Sequence, residues 1–418
     1  MSEQSTIFRA RKIYREDGTL LDDGAVVCRA GKIAAVAPWP ALRSWHGRIV
    51  NLGPALLLPG LVNAHTHLRL THLLGKIAST ADFVGWLARI TLRAKFTRQA
   101  TFLRSIEAGA RRLLEGGVTT AVEIDVDGLS AETLRSSPLR LVFAHECIAL
   151  DPARAEQTLR RLTDLVERLD SEPLRREHGL APHAPYSVSR ELWQLLSRKT
   201  REAGHSSRLI TTHLAESAEE VAMFRSGRGK MIRWLRMFGV LPRGWRAPRC
   251  SPVEFLEQTG TPDARGIAAH CGFADEADAE RLARHGWTVA FCPGTHEYFK
   301  RPAYPLHLFR RAGVPVCVAT DSAASNTGLG MMNEMARLAR HAPDLSAKEI
   351  VAAATTIPAR AIGWGDNVGR IEIGYCADFS AWTPCCEGNR LDRSWFATPP
   401  ACAAIIIGGR TVMHNKNL

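Results

Sequence analysis

Pro59 to Leu68 reads PGLVNAHTHL, an apolar run that ends in two histidines one residue apart. In extended backbone, residues i and i+2 point to the same side, so His65 and His67 can aim both imidazoles at one point, which a helix does not allow. A strand ending in His-x-His is therefore a two-nitrogen clamp. Three further fragments carry polar residues at the ends of apolar runs: TTHLAES (Thr211 to Ser217), the AHCG around His270, and ATDSAASN (Ala319 to Asn326). Together the four fit one zinc-type site, which requires a fold that gathers the ends of several strands.

Working outward from that clamp, apolar and β-branched runs alternate with helical stretches along the chain. The candidate strands are LLLPGLVNAHTH, VTTAVEID, RLVFAHECI, HGLAPHAP, RLITTHLAE, GIAAHCG, TVAFCPGT and PVCVATD. Between them lie segments such as Phe102 to Leu114 and Ala155 to Leu169, whose apolar spacing fits amphipathic helices. This alternation predicts an α/β fold, a (β/α)8 TIM-like barrel with its chemistry at the C-terminal strand ends. Residues 6 to 58 read instead as short strands with turns at Asp17-Gly18 and Asp23-Gly24, and GRIEIGYCADFSAW and ACAAIIIGGRTVMHN have the same character. The two flanks, 1–58 and 371–418, are expected to fold together as a small β-sandwich domain beside a barrel of residues 59–370.

With 418 residues, 45% of them apolar, the chain can bury a large core. The N-terminal MSEQSTIFRARKIYRED has no apolar signal region, and no stretch approaches the roughly 18 to 20 uninterrupted apolar residues of a membrane span. The expectation is a cytoplasmic protein with no membrane partner. Ten cysteines, scattered without a Cys-x-x-Cys pair, read as reduced core thiols. The formal charge of +12 is densest in Arg225 to Arg249, RSGRGKMIRWLRMFGVLPRGWRAPR. That segment reads as a solvated arginine-rich surface or as a lid over an acidic substrate. No nucleic-acid-binding motif accompanies it, so nucleic acid is not an expected partner. A homo-oligomer is compatible with the sequence, which does not specify one.

The motifs PG-x-V-N-x-H-T-H, H-L-A-E-S and T-D-S occur in this order, and through them nearly the whole chain resembles the amidohydrolase superfamily. The resemblance is to its branch of metal-dependent aminohydrolases, which includes cytosine, guanine, S-adenosylhomocysteine and aminofutalosine deaminases and the triazine hydrolases. It implies one divalent metal held by His65, His67, His213 and Asp321, an N/O ligand set suited to zinc or iron(II), with zinc favoured. It gives Glu216 the role of proton shuttle, His270 that of stabilising the attacking oxygen and the tetrahedral intermediate, and Asp321 a second role as proton acceptor. Binuclear relatives carry a carboxylated lysine at the end of the fourth strand. Here APHAPYS puts His183 there, which favours one metal and a substrate contact for this histidine.

Substrate choice rests on weaker signals. Relatives acting on methylthioadenosine or S-adenosylhomocysteine carry a glutamate after a Trp-Leu pair, whereas here Trp86-Leu87 is followed by ARITLRAKF, without an acid. HTHLRLTHLLG, DFVGWL and FCPGTHEYFKRPAYPLHLFRRAGV look closer to an aminofutalosine-deaminase-like subgroup. The substrate is then a 6-aminopurine nucleoside bearing a carboxylate, for which Arg69, with the basic segment around Arg236, is the expected partner. Trp86, His296 and Ser322 complete the expected substrate-binding set. The leading expectation is a deaminase of an aminated heterocycle that releases ammonia. A dechlorinase or cyclic-amidine hydrolase with the same site, and a non-catalytic binding relative, are the alternatives.

Overall fold

The computed structural model describes residues 5–169, 171–202, 208–260 and 266–415. Nine parallel strand segments follow one another in chain order around a curled sheet. They are Leu61–His67, Val118–Asp125, Arg140–Cys147, Arg176–Pro182, Ile210–Leu214, Gly266–His270, Thr288–Phe291, Val316–Val318 and Asp321–Ser322. The last two are parts of one eighth strand, and Asp321 and Ser322 pair with Thr66 and His67 of the first. The expected (β/α)8 barrel is thus the observed one. Before that pairing begins, the Asn63 amide spans the first and eighth strands, donating to Thr320 Oγ1 at 2.7 Å and accepting from the Thr320 N–H at 3.2 Å. A side-chain amide has the same donor and acceptor as a peptide and so can stand in for a rung of the ladder.

Strand alternation sorts the residues into two layers. Val62, Val122, Ile124, Val142, Ala144, Ile267 and Ala319 pack together inside the barrel, where Ile362, Trp364 and Val368 join them. Their neighbours Leu61, Leu141, Phe143, Leu180 and Ile210 face the other way and pack with helical residues such as Phe102, Ile106 and Leu113. The predicted helix at Phe102 to Leu114 is the core of Gln99–Glu115, and the other predicted helix spans Ala155–Arg168.

Both flanks contribute to one eight-stranded sheet, in the order Arg410–His414, Ala401–Ile407, Phe379–Thr383, Leu56–Pro59, Ser5–Tyr14, Leu20–Arg29, Lys32–Pro38, with Gly47–Asn51 paired to Ser5–Tyr14. The run read as a single strand, Leu56 to His67, is two: Leu56–Pro59 belongs to this sheet and Leu61–His67 to the barrel. Gly60 makes the transfer where a Cβ would lie 2.1 Å from Thr119 Oγ1, so no other residue fits without displacing the second barrel strand. All ten cysteines are free. Among the described residues, no helix is long and apolar enough to cross a membrane.

Candidate active site

An extra residue on the first barrel strand is what turns its histidines inward. Asn63 pairs with Ala121 but Thr66 with Glu123, so three steps on one strand oppose two on the next, a β-bulge. The bulge puts His65 and His67 on the same side as Val62 and Ala64, which line the interior. His67 Nε2 then lies 3.2 Å from both His65 Nε2 and His213 Nε2, and Asp321 Oδ1 lies 3.6 Å from His65 Nε2 and 3.5 Å from His67 Nε2. The four ligand atoms fall within 4.8 Å of one another.

This arrangement fits a small cation. Nitrogens bound at zinc-like distances in a tetrahedron are about 3.3 Å apart. His213 donates its Nδ1–H to the His183 carbonyl at 2.8 Å, which leaves Nε2 as a lone pair. Burial pushes the His65 imidazole below the usual histidine range and His67 well below it, so both favour the neutral, ligating form. Burial alone would raise the Asp321 carboxyl. The neighbouring His65, His270 and His67 outweigh it and hold the group well below the usual range. Its Oδ2 accepts from Thr295 Oγ1 at 2.9 Å and Ser325 Oγ at 3.0 Å, leaving Oδ1 toward the histidines.

Beside the cluster, Glu216 Oε1 accepts from Arg301 Nη2 at 2.8 Å and lies 3.7 Å from His270 Nε2. His270 Nε2 is buried without a hydrogen-bond partner, pointing to a missing polar group between it and its neighbours. Glu220 shapes the turn before Glu216 by accepting the N–H groups of Ala215 at 3.3 Å and Glu216 at 2.8 Å, and its carboxyl is pushed up to about 8 by burial and the Glu216 charge. His183 meets Ser187 Oγ through Nδ1 at 2.7 Å, with its ring centroid 4.8 Å from that of His213. Among the described residues nine non-glycine positions have positive φ, including Ala215, His270, Cys271, Lys300 and Asp321 at or beside the site. A left-handed turn costs a non-glycine residue roughly 1–3 kcal/mol, so the mouth concentrates strain where ligands must be aimed against the strand alternation.

The remaining expected residues divide. Trp86 is buried and donates its indole N–H to the Ala324 carbonyl at 3.3 Å, on the loop that follows Asp321, while its ring meets Phe299 at 5.0 Å. Ser322 bonds Ser325 Oγ at 2.8 Å and so supports the Asp321 loop. Arg69 pairs with Asp127 Oδ2 at 2.7 Å and its guanidinium lies 3.9 Å over the Phe102 ring. His296 has its Nε2 2.6 Å from the Pro302 carbonyl, and its ring packs on Phe291 and Tyr304, so it braces the loop that carries Pro302. Arg236 is exposed. In the basic segment Arg225 pairs with Asp275 and Lys230 with Asp82, as a solvated surface would.

Arg301 and Glu146 were missed by the sequence reading. Glu146 shares the inward alternation of Val142 and Ala144 at the end of the third strand, and burial pushes its carboxyl up to about 7 against the opposing influence of His213 and Arg69. The alternation in RLVFAHEC was the available signal for Glu146. Nothing local in FKRP announced that Arg301 would be buried.

Residues 56–412 match the model of the amidohydrolase family. A 5-methylthioadenosine/S-adenosylhomocysteine deaminase of Syntrophobacter fumaroxidans is 29% identical over 376 residues, covering 87% of this chain and 80% of the relative. An adenosine deaminase from Xanthomonas campestris, solved with bound zinc, superposes with a TM-score of 0.81 at 24% identity, covering 100% of this chain and 94% of that one. Helicobacter pylori aminofutalosine deaminase, in complex with methylthio-coformycin, gives a TM-score of 0.82 at 21% identity over 98% of this chain and 100% of its own.

Proposed function

The chain belongs to the amidohydrolase family, and we propose that it is a mononuclear metal-dependent deaminase of a 6-aminopurine nucleoside, releasing ammonia by hydrolysis. The family match and the deaminase relatives make it a hydrolase of carbon–nitrogen bonds. The observation that carries the reading is the convergence of three histidine Nε2 atoms and Asp321 Oδ1, with Glu216 3.7 Å from His270, whose ring stacks on that of His213. His65, His67, His213 and Asp321 would hold a divalent cation, zinc in preference to iron(II), which when bound would supply Lewis acidity that lowers the pKa of water toward 7.

The chain's own groups move the protons. Asp321, ionised and pinned through Oδ2 by Thr295 and Ser325, is the carboxylate that accepts a proton from the attacking water. Glu216 has Oε1 engaged by Arg301, and Oε2 has no hydrogen-bond partner among the described residues. Oε2 is therefore the atom that delivers a proton to the ring nitrogen next to the attacked carbon, which makes that carbon a better electrophile. His270, neutral because burial holds it well below its usual range, donates or accepts a hydrogen bond at the oxygen that adds. The carbon–nitrogen bond then breaks, water's oxygen remains on the ring carbon, and the amino group leaves as ammonia. His183, on the wall beside His213, contacts the substrate.

The 5-methylthioadenosine/S-adenosylhomocysteine deaminase and aminofutalosine deaminase relatives both support a nucleoside substrate. The further preference for a remote carboxylate loses its expected partner, because Arg69 is paired with Asp127. Ammonia release from metal-loaded protein, measured across adenosine, methylthioadenosine, aminofutalosine, guanine and cytosine, tests the reading together with elemental analysis. The expected result is one tightly held metal per chain and turnover of a 6-aminopurine nucleoside. Two metals per chain, or no ammonia from these or any other aminated heterocycle, would overturn it.

A further inference from the structure

Among the described residues, Arg301 is the one buried cation in contact with the proposed proton shuttle. Its side chain is only 4% exposed, its Nη2 donates to Glu216 Oε1 at 2.8 Å, and its Cζ lies 4.7 Å over the Phe299 ring and 5.8 Å from that of Phe83. The loop that carries it is fixed from several sides. Lys300, immediately before it, has φ +51°, the Arg301 N–H donates to the His296 carbonyl at 3.2 Å, and the His296 ring bonds the Pro302 carbonyl at 2.6 Å. Tyr304 donates to the His270 carbonyl at 2.8 Å, which ties the same loop to the sixth strand.

A guanidinium has five N–H donors in one plane. Among the described residues its side chain makes only the bond to Glu216, and none of its nitrogens is among the buried polar atoms sealed away without a partner. The remaining donors therefore reach accessible space beside Glu216, where a ligand oxygen can accept from them in place of water. Their position narrows that acceptor. If Glu216 Oε2 serves a ring nitrogen, the guanidinium bonded to Oε1 of the same carboxylate lies along the same ring edge, so an oxygen on the neighbouring ring carbon would complete a two-point contact.

We propose that Arg301 is a specificity-determining residue that selects aminated heterocycles carrying an oxygen, carbonyl or ionised, on the ring carbon beside the nitrogen served by Glu216. The proposal rests on the deaminase reading and narrows it from 6-aminopurine nucleosides to those with a 2-oxo group. The oxygen takes no part in bond breaking: water adds at the amino-bearing carbon and ammonia leaves, as without it.

Adenosine and its 2-oxo analogue isoguanosine differ at that one position and form inosine and xanthosine. For metal-loaded wild type, kcat/KM for isoguanosine is expected to exceed that for adenosine by at least about 30-fold, because a site built to bond a polar group discriminates strongly against the analogue lacking it. In Arg301→Leu the ratio should fall toward one, and Arg301→Lys, with the charge but not the fork, should keep part of it. A ratio within one variant is independent of how much of the protein folds. A residue that merely held Glu216 in place would slow both substrates alike, so an unchanged ratio in Arg301→Leu overturns the proposal, as does equal or better use of adenosine by wild type. If no aminated heterocycle releases ammonia, the deaminase reading itself falls. The Arg301 inference is then decided by binding: xanthosine should bind metal-loaded wild type at least about tenfold more tightly than inosine, with the difference lost in Arg301→Leu, and equal affinities overturn it.

Discussion

Along the same strands, the two ends of the barrel are built to opposite rules. Toward the N-terminal end the inward residues are Val62, Val122, Val142 and Ile267, closed over by Ile362 and Trp364. At the C-terminal end the inward residues are His65, His67, His213, His270 and Asp321, and the alternation is broken by a bulge and by left-handed turns at Ala215, His270, Cys271 and Asp321. One end gains stability by excluding water. The other gives up some of that stability to aim polar groups at a point, and it can do so because the apolar floor lies directly beneath it.

If the division is real, substitutions at the mouth should change chemistry far more than stability. Glu216→Gln is the largest expected effect: an amide cannot deliver the proton, so kcat should fall by about 10² to 10⁴, the usual worth of a general acid. Metal content and melting temperature should stay near those of wild type, since Glu216 is not among the four ligands. Near-normal turnover would mean that another acid serves the ring and that the mouth is organised differently.

The floor should respond in the reverse sense. Ile362, 1% exposed, packs against the interior cluster far from any ligand in sequence. Ile362→Ala should cost about 2–4 kcal/mol in denaturant unfolding through lost contacts and the cavity left behind. Turnover per folded, metal-loaded molecule should be unchanged. A variant of normal stability with impaired kcat would erase the distinction between the two ends.

How much of this was legible in the sequence follows from what kind of physics set each feature. The barrel and the four presumed ligands were readable because period-two apolar runs and a His-x-His pair are local patterns that each strand must obey by itself. The split of Leu56 to His67 was not, because it depends on Thr119, which a distant strand presses against Gly60. Nor was the bulge at Asn63 to Thr66, whose register is set by the second strand. Arg69 and Arg301 make the same point with opposite outcomes. Arg69 stands next to the metal motif in sequence yet finds Asp127, 58 residues later, whereas Arg301 lies 85 residues from Glu216 and meets it in the interior. Charge alone gave no partner to either.

A third region sharpens the comparison, because it is polar and buried without belonging to the mouth. His145 lies on the strand face that carries Phe143, in the layer between barrel and helices, with its Nε2 2.9 Å from His178 Nδ1 and its ring stacked on that of His178 at 5.1 Å. Burial, with smaller contributions from His178 and Arg208, lowers its pKa to about 3. The unfolded chain takes up this proton near the ordinary value of about 6.5, while the folded protein resists until about 3. Below about 6.5 the unfolded state therefore binds more protons, and stability falls as the pH drops from there toward 3. His145→Gln keeps an amide for His178 and removes the titration. It should leave kcat near that of wild type and make the loss of unfolding free energy between pH 7 and pH 5 smaller by about 1–2 kcal/mol. Equal acid sensitivity in the two proteins would mean that the imidazole is hydrated or charged in the folded state, and the buried polar groups outside the mouth would then carry no stability cost of their own.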